Sequence, residues 1–482
     1  MSPQTYELAV IGSGPAGQKA AIAASKLGKN VVVVDRPGRL GGVSLQSGTI
    51  PSKTLREGIL YFTGFRQRSF YGRSYHLKDD LSVGDLAFRV NTVRTRQGEV
   101  VKDQLRRNSV KVLEGLARFA DPHTLEIESD SGSSRITAEY ILIACGSRPA
   151  HNPMVPVDGR RIVDSDQLGA LESLPRELIV VGAGVIGLEY ASMATALGAR
   201  VTVIEQRPTI LDFADREIVE TLTYWMRESG ATLRLGETVT GVEVAAEGHV
   251  LARLESGKSV RGDVLLYCVG RQCNSDRLNL EAAGLSTDER GRLTVDEFFR
   301  TPVPHIYAAG DVIGFPALAS TSMEQGRLAA RHMFGYRTVP RAATFPYGIY
   351  TIPEISMVGR TEEDLTRAKV PYEVGRARYE EIAKAQMLGA DNGLLKILFH
   401  PQTHEIFGIH AIGDGASEII HIGQTALALG GRLDYFSDAV FNFPTLAEAY
   451  RVAALDGLNK CDAGGADALP AAAPTPTLAP GS

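Results

Sequence analysis

Through its first two thirds the chain alternates short apolar runs with stretches of small residues at helical spacing. YELAVIGSGPAGQKAAIAASKLGKNVVVVD, residues 6–35, has an apolar run, a G-x-G-x-x-G turn, a small-residue helical pattern, a glycine, and a Val-rich run ending in an acid. ELIVVGAGVIGLEYASMATALGARVTVIE, residues 177–205, repeats that order. In both copies the acid, Asp35 or Glu205, follows the first glycine, Gly12 or Gly182, at the same interval. Each copy therefore predicts strand, turn, helix, strand, the opening of a parallel βαβ unit. AEYILIACGSRPA at 138–150 reads as a strand followed by a glycine turn. DVLLYCVGRQCN at 263–274 repeats that theme, and HIYAAGDV at 305–312 is a further strand ending in Gly-Asp. Between the copies, residues 55–118 are polar and Arg-rich with helical stretches. From about 345 the pattern changes. TFPYGIYTIPEISMVG, GLLKILFHPQTHEIFGIHAIG and SEIIHIGQTALALGG predict a short antiparallel sheet with helices, an α+β unit. Residues 462–482, rich in Ala, Pro and Gly, read as a disordered tail.

The spacing of the repeated turn has a physical cause. Its first glycine makes the tight turn out of the strand, its second lets a pyrophosphate approach bare backbone, and its third lets helix and strand pack closely. The phosphates then meet free N–H groups at a helix N-terminus. The acid closing the second strand accepts ribose hydroxyls. Gly12, Gly14 and Gly17 with Asp35, and Gly182, Gly184 and Gly187 with Glu205, thus define two dinucleotide sites. Two such sites on one chain suggest a bound flavin and an exchangeable nicotinamide nucleotide.

Composition narrows the partners. The 482 residues are 44% hydrophobic and 22% charged, an ordinary globular balance, with a net charge of −5. That charge gives no electrostatic reason to expect nucleic acid or an anionic membrane. No window shows the roughly 18 unbroken apolar residues of a membrane span. The first apolar run begins within a few residues of Met1, with no basic-then-apolar leader, so a cytoplasmic protein is expected. Of the four cysteines, Cys145, Cys268, Cys273 and Cys461, none suggests a disulfide framework. Cys268 reads as a buried small hydrophobe in an apolar run and Cys273 as a loop thiol, with an accessory redox pair as the alternative. His410 and His421 read as core or interface residues. No cluster has metal-ligand spacing, so no metal is expected.

Several motifs together carry a family resemblance. They are GSGPAG at 12–17, GG…PSK at 41–53, CGSRP at 145–149, GAGVIGLEY at 182–190, GR at 270–271, YAAGDV at 307–312 and FNFPTLAEAY at 441–450. From about residue 5 to about 460 the chain resembles the FAD-dependent pyridine nucleotide–disulfide oxidoreductases, and most of all their transhydrogenase branch. The resemblance implies an α/β fold with two Rossmann-like dinucleotide-binding domains, for FAD and NAD(P), plus a C-terminal α+β dimerisation domain. The implied boundaries are 1–150 and 276–344 for FAD, 151–275 for NAD(P) and 345–461 for dimerisation. It gives the first turn and Asp35 to the FAD adenosine half, and the second turn and Glu205 to the nicotinamide nucleotide. It puts Asp311 at the flavin ribityl or pyrophosphate, and Gly42, Gly146 and Gly270 along the cofactors. Lys53 and Glu189, which unaided read equally well as a helix-end charge and a surface acid, become the lysine near flavin N5 and its ion-pair partner. The C-terminal domain implies a two-fold homodimer.

The departures from the family pattern are chemical. The family's redox cysteines fall at Ser44 and Thr49, and hydroxyls have no accessible disulfide state and form no low-pKa thiolate. Its C-terminal His-x-His-P, whose second histidine is the dithiol's base, falls at Phe441 and Phe443. Hydride transfer from nicotinamide C4 to flavin N5 needs stacking and short distance, not an acid or base. With no disulfide to receive the electrons, the expected activity is transhydrogenation between NADPH and NAD⁺. The alternative is an NAD(P)H:quinone or dye reductase. Glu205 favours NAD(H). Arg207, two residues on, either binds the 2′-phosphate of NADP(H) or is a solvated loop arginine.

Overall fold

The computed structural model describes residues 4–462 apart from 73, 79 and 339–343. The tail expected at 462–482 lies, but for its first residue, outside the described residues. The chain divides into two compact units, one up to Ile355 and one from Ser356 onward.

The first unit holds a mixed sheet, parallel from Lys111–Glu114 to Gly132–Ile143 and antiparallel beyond it, and a second, parallel sheet. In the first, the order is Lys111–Glu114, Val31–Asp35, Gln4–Ile11, Gly132–Ile143, Thr124–Ser129, Leu116–Asp121, with Ile306–Ala308 also pairing Gly132–Ile143. Val31, Val32, Val33 and Val34 are all buried, the unbroken apolar run of a strand covered on both faces. Parallel register sets Ile11 beside Val34 and Ile143, and Ile143 beside Ala308. The carboxyl ends of these strands therefore share one edge, where an open parallel sheet places its ligand. In the second sheet the order is Thr232–Leu235, Arg200–Glu205, Glu177–Val181, Val264–Tyr267, Ile162–Asp164. Val181 lies beside Ile204 and Tyr267, so the same kind of edge forms again. An antiparallel meander, Val239–Val244, Val250–Leu254 and Ser259–Gly262, packs on this sheet through Val242, Val250, Ala252 and Leu254 against Ile179, Ile204 and Leu265.

Helices Pro15–Lys26 and Val185–Ala196 follow the two glycine turns. The second is buried from Gly187 through Ala196, which accounts for its mostly small or apolar sequence and makes the buried Glu189 stand out. The polar stretch after the first copy forms helices Thr49–Phe62 and Val83–Arg107, the latter opened by a Ser82/Asp85 capping box. Cys273 corrects an expectation. It is not a loop thiol but ends the short strand Arg271–Cys273, which pairs antiparallel with Ser147–Pro149, and its side chain is buried.

In the second unit, Glu373–Arg378, Leu394–Phe399 and Ile406–Ile412 pair antiparallel in that order. Helices Ala416–Ala428, Leu433–Asp438 and Glu448–Asp462 complete it, and Phe436, Tyr450 and Ala453 from the last two join Ile397, Phe399 and Ile409 in one core. It is the expected α+β unit.

Candidate active site

The first and third glycines of each turn are required by their surroundings. Gly12 and Gly182 sit at φ of +102° and +100°, a region that disfavours side chains. A Cβ on Gly17 would collide with the Gly12 carbonyl oxygen, and one on Gly187 with that of Gly182, so helix and strand close on bare backbone. The middle glycines differ. A Cβ on Gly184 would meet nothing within 4 Å, and one on Gly14 only the Cα of Gly42, at 4.0 Å. These two positions face open space, as a ligand's phosphates need. Gly42, at φ +62°, could not carry a side chain, because a Cβ there would lie 2.8 Å from the Cα of Gly14. The strip 41–53 thus abuts the first turn.

The two acids are held differently. Oδ2 of Asp35 accepts from the Ser13 backbone N–H at 2.7 Å and from the Ser13 hydroxyl, while Oδ1 accepts from the Arg36 N–H at 2.7 Å. The Ser13 oxygen in turn accepts from the Gly41 N–H at 2.9 Å. Glu205 is only 6% exposed. Its Oε2 accepts from the Ala183 N–H at 2.7 Å, and its Oε1 from the Arg207 N–H at 3.0 Å and Nε at 3.1 Å. Burial pushes the Glu205 carboxyl up, but the Arg207 guanidinium and the two backbone donors outweigh it and hold it below the usual carboxylate range. Glu205 raises the Arg207 guanidinium reciprocally. Arg207 also lies 3.3 Å from Asp212, so its guanidinium is ion-paired while its side chain stays 41% exposed.

Asp311 follows the strand Ile306–Ala308. Its Oδ2 accepts from the Ser147 hydroxyl at 2.6 Å, and Arg271 Nε donates to the same hydroxyl oxygen at 2.7 Å. Gly146 at φ +66° and Gly270 at φ +96° border this group, and a Cβ on either would meet nothing within 4 Å. Ser147 and Arg271 were legible only as letters inside GSRP and GR, and nothing in sequence showed that they meet at Asp311. Nor was Gln325 visible. It is 3% exposed, accepts from the Gly310 N–H at 2.8 Å, and its Nε2 has no hydrogen-bond partner among the described residues.

Lys53 and Glu189 come together. Nζ lies 2.6 Å from Oε2, with the glutamate side chain 5% exposed. Oε1 of Glu189 accepts from the Tyr350 N–H at 2.9 Å, and the Tyr350 ring lies 4.9 Å from Lys53 Nζ. Tyr350 had no sequence signal. Between the two turns, the Ser44 hydroxyl donates to the Gly41 carbonyl at 3.1 Å and Thr49 opens the helix Thr49–Phe62. The Ser47 hydroxyl is buried with no partner among the described residues. Orphaned polar atoms at Ser47 and Gln325, and the side-chain-free backbone at Gly14, Gly146 and Gly184, fit a large polar cofactor lying along the strand ends.

No described thiol enters the strip 41–53. Among the described residues no disulfide joins any of the four cysteines. Burial pushes the Cys145 and Cys268 thiols far up, and burial with the Asp311 carboxylate pushes Cys273 up to about 11. In the second unit Phe443 is 70% exposed and Phe441 packs against the core. His410 is buried with Nε2 2.9 Å from the Arg360 carbonyl, and His421 meets Gln424 at 2.8 Å.

Comparison with known proteins defines the class. The family model described as pyridine nucleotide-disulphide oxidoreductase matches residues 6–326, and that of the same family's dimerisation domain matches 345–454. The chain belongs to the pyridine nucleotide-disulphide oxidoreductases. A soluble pyridine nucleotide transhydrogenase from Mycobacterium bovis (strain BCG / Pasteur 1173P2) is 51% identical over 457 residues, covering 94% of this chain and 97% of the relative. Another protein of that name, from Enterobacter sp. (strain 638), is 45% identical over 460 residues, covering 94% and 98%. Among solved structures, LpdA from Mycobacterium tuberculosis matches with a TM-score of 0.86 at 28% identity, covering 94% of this chain and 99% of that one. The HOCl-induced flavoprotein disulfide reductase RclA from Escherichia coli gives 0.84 at 26%, covering 93% and 99%. Among the described residues no helix is long and apolar enough to cross a membrane.

Proposed function

We propose that the chain is an FAD-dependent soluble pyridine nucleotide transhydrogenase that moves hydride between NADPH and NAD⁺ with no sulfur in the path. One observation carries this reading: Lys53 keeps its ion pair with Glu189 while positions 44 and 49 hold hydroxyls. FAD held by these residues would supply the two-electron hydride chemistry between the two nicotinamide nucleotides.

The chain's own residues bind and orient. Gly12, Gly14 and Gly17 shape the turn that brings the FAD diphosphate onto bare backbone at the helix N-terminus, and Asp35 takes the adenosine ribose. Asp311, steadied by Ser147 and Arg271, holds the ribityl or diphosphate region, with Gly42 and Gly146 leaving bare backbone alongside. Gly182, Gly184 and Gly187 cradle the nicotinamide nucleotide, and Gly270 lets it pass close to the chain. Glu205 takes the ribose diol of NAD(H). Arg207 turns from Glu205 to the 2′-phosphate of NADP(H), so both nucleotides are accepted, NAD(H) the more tightly. Lys53 holds a positive charge beside the redox ring, and Glu189 fixes that charge in place. Residues 1–150 and 276–344 form the FAD domain, 151–275 the NAD(P) domain and 345–461 the dimerisation domain of a cytoplasmic homodimer. Neither nucleic acid nor membrane is a partner.

Anaerobic NADPH should bleach the flavin's visible band, and NAD⁺ added next should restore it while NADH accumulates. Persistent bleaching after NAD⁺ would sink the reading.

A further inference from the structure

We propose that the segment Tyr350–Glu354 is a clamp that fixes the Lys53–Glu189 pair, with Arg56 and Ser192 as its positioning residues. The inference rests on the reading above, in which that pair serves the flavin. Lys53 and Arg56 stand three residues apart on the helix Thr49–Phe62, and Glu189 and Ser192 three apart on the helix Val185–Ala196. Residues at that spacing share a helix face. The segment reaches all four. The Tyr350 N–H donates to Glu189 Oε1 at 2.9 Å and the Ile352 N–H to Ser192 Oγ at 3.0 Å. The Ser192 hydroxyl in turn donates a hydrogen bond to the Glu189 carbonyl at 2.8 Å. On the other helix, Arg56 Nε donates to the Thr351 carbonyl at 3.1 Å and Nη2 lies 3.4 Å from Glu354 Oε2.

The Arg56 and Glu354 side chains are 4% and 8% exposed. A buried ion pair is weak evidence of stabilisation, because desolvating both charges offsets most of their attraction. Here it anchors a backbone segment instead. Glu189 has Lys53 on one oxygen and the Tyr350 amide on the other, so its carboxylate cannot rotate away from the lysine. The Tyr350 ring, 4.9 Å from Nζ, gives the ammonium a second fixed neighbour. A charge held in one place contributes more to a developing negative charge than one that must reorganise.

The test uses FAD-loaded Ser192→Ala, Ser192→Thr, Tyr350→Leu, Arg56→Lys and Lys53→Met, with two readouts. One is the midpoint potential of the bound flavin by anaerobic spectroelectrochemistry. The other is kcat and KM for NADH with thio-NAD⁺. Ser192→Ala and Tyr350→Leu should retain FAD and hold KM within about twofold while kcat falls about tenfold, the cost of a small misplacement. Both should shift the midpoint in the direction of Lys53→Met, and Ser192→Thr, which keeps the hydroxyl, should restore both quantities. A wild-type midpoint in Ser192→Ala and Tyr350→Leu would overturn the clamp, even with a lower kcat. Tyr350→Leu leaves the Tyr350 amide in place and tests the ring alone. Arg56→Lys, which loses the guanidinium's bond to the Thr351 carbonyl, should shift the midpoint the same way and decides the matter if Ser192→Ala does not fold, a wild-type midpoint there overturning the clamp. If wild-type turnover with thio-NAD⁺ is absent, the transhydrogenase reading fails, while the midpoint comparison still judges the clamp.

Discussion

Lys53 Nζ and Glu189 Oε2 lie 2.6 Å apart across 136 residues of sequence, joining the helix Thr49–Phe62 to the helix after the second glycine turn. Removing the cation tests what the pair does. Lys53→Met should keep the FAD-loaded protein folded and lower NADH to thio-NAD⁺ turnover by about 10²-fold, the scale of one lost preorganised charge. Stopped-flow bleaching of the flavin by NADH measures this step directly. An unchanged bleaching rate would make the pair structural only.

Arg207 bears on nucleotide choice. Its guanidinium pairs with Glu205 and Asp212, so binding a 2′-phosphate means exchanging those partners. Arg207→Ala should lower kcat/KM for NADPH about 10- to 100-fold and that for NADH by less than about threefold. Equal losses would remove Arg207 from the specificity argument.

The two turns should fail separately. Because a Cβ on Gly17 strikes the Gly12 carbonyl, Gly17→Ala should yield protein lacking bound FAD. Gly187→Ala makes the matching clash with Gly182, and should give yellow protein that binds neither NADH nor NADPH. Flavin content by absorbance and nucleotide binding by calorimetry distinguish the variants. The opposite assignment of losses would exchange the two sites.

The two turns, their acids and the positions of the missing cysteines were legible in the sequence because they are local. A G-x-G-x-x-G turn lies within one βα connection, and its acid ends the next strand. What tertiary packing assembles was not legible. Tyr350 meets Lys53 across nearly 300 residues, Ser147 and Arg271 meet at Asp311, and Gln325 reaches Gly310 from the following helix. No periodicity encodes such meetings. Cys273 was misread because its strand has only three residues, too few to show alternation.

Glu205 gives a pH prediction with a definite sign. Its carboxyl is held below its ordinary value, so the stability it adds is present above the unfolded pKa of about 4.3 and is lost as pH falls through the folded value. Glu205→Gln should therefore lower the Tm at neutral pH, by roughly 2 °C for about 1 kcal/mol. The gap from the parent should close on acidification below about pH 4. Calorimetric scans across that range check the sign. A gap that widens in acid would contradict the assigned shift.

Thiol chemistry should leave the enzyme working. Cys145 and Cys268 are pushed far up by burial and Cys273 up to about 11, so little thiolate exists near neutrality. Iodoacetamide at about pH 7.5 should spare most of the turnover. Activity followed beside intact-protein mass measures it. Loss of turnover in step with one added carbamidomethyl group would place sulfur in the path.

The hydroxyls at Ser44 and Thr49 have a consequence for the cell. A reductase with a dithiol must be primed by reductant, and it can be stalled by arsenicals or by an oxidising shift in the glutathione pool. This chain has nothing at those positions to prime or to poison. Its output should follow the ratios of its coenzymes, with no thiol at those positions for an oxidant to reach.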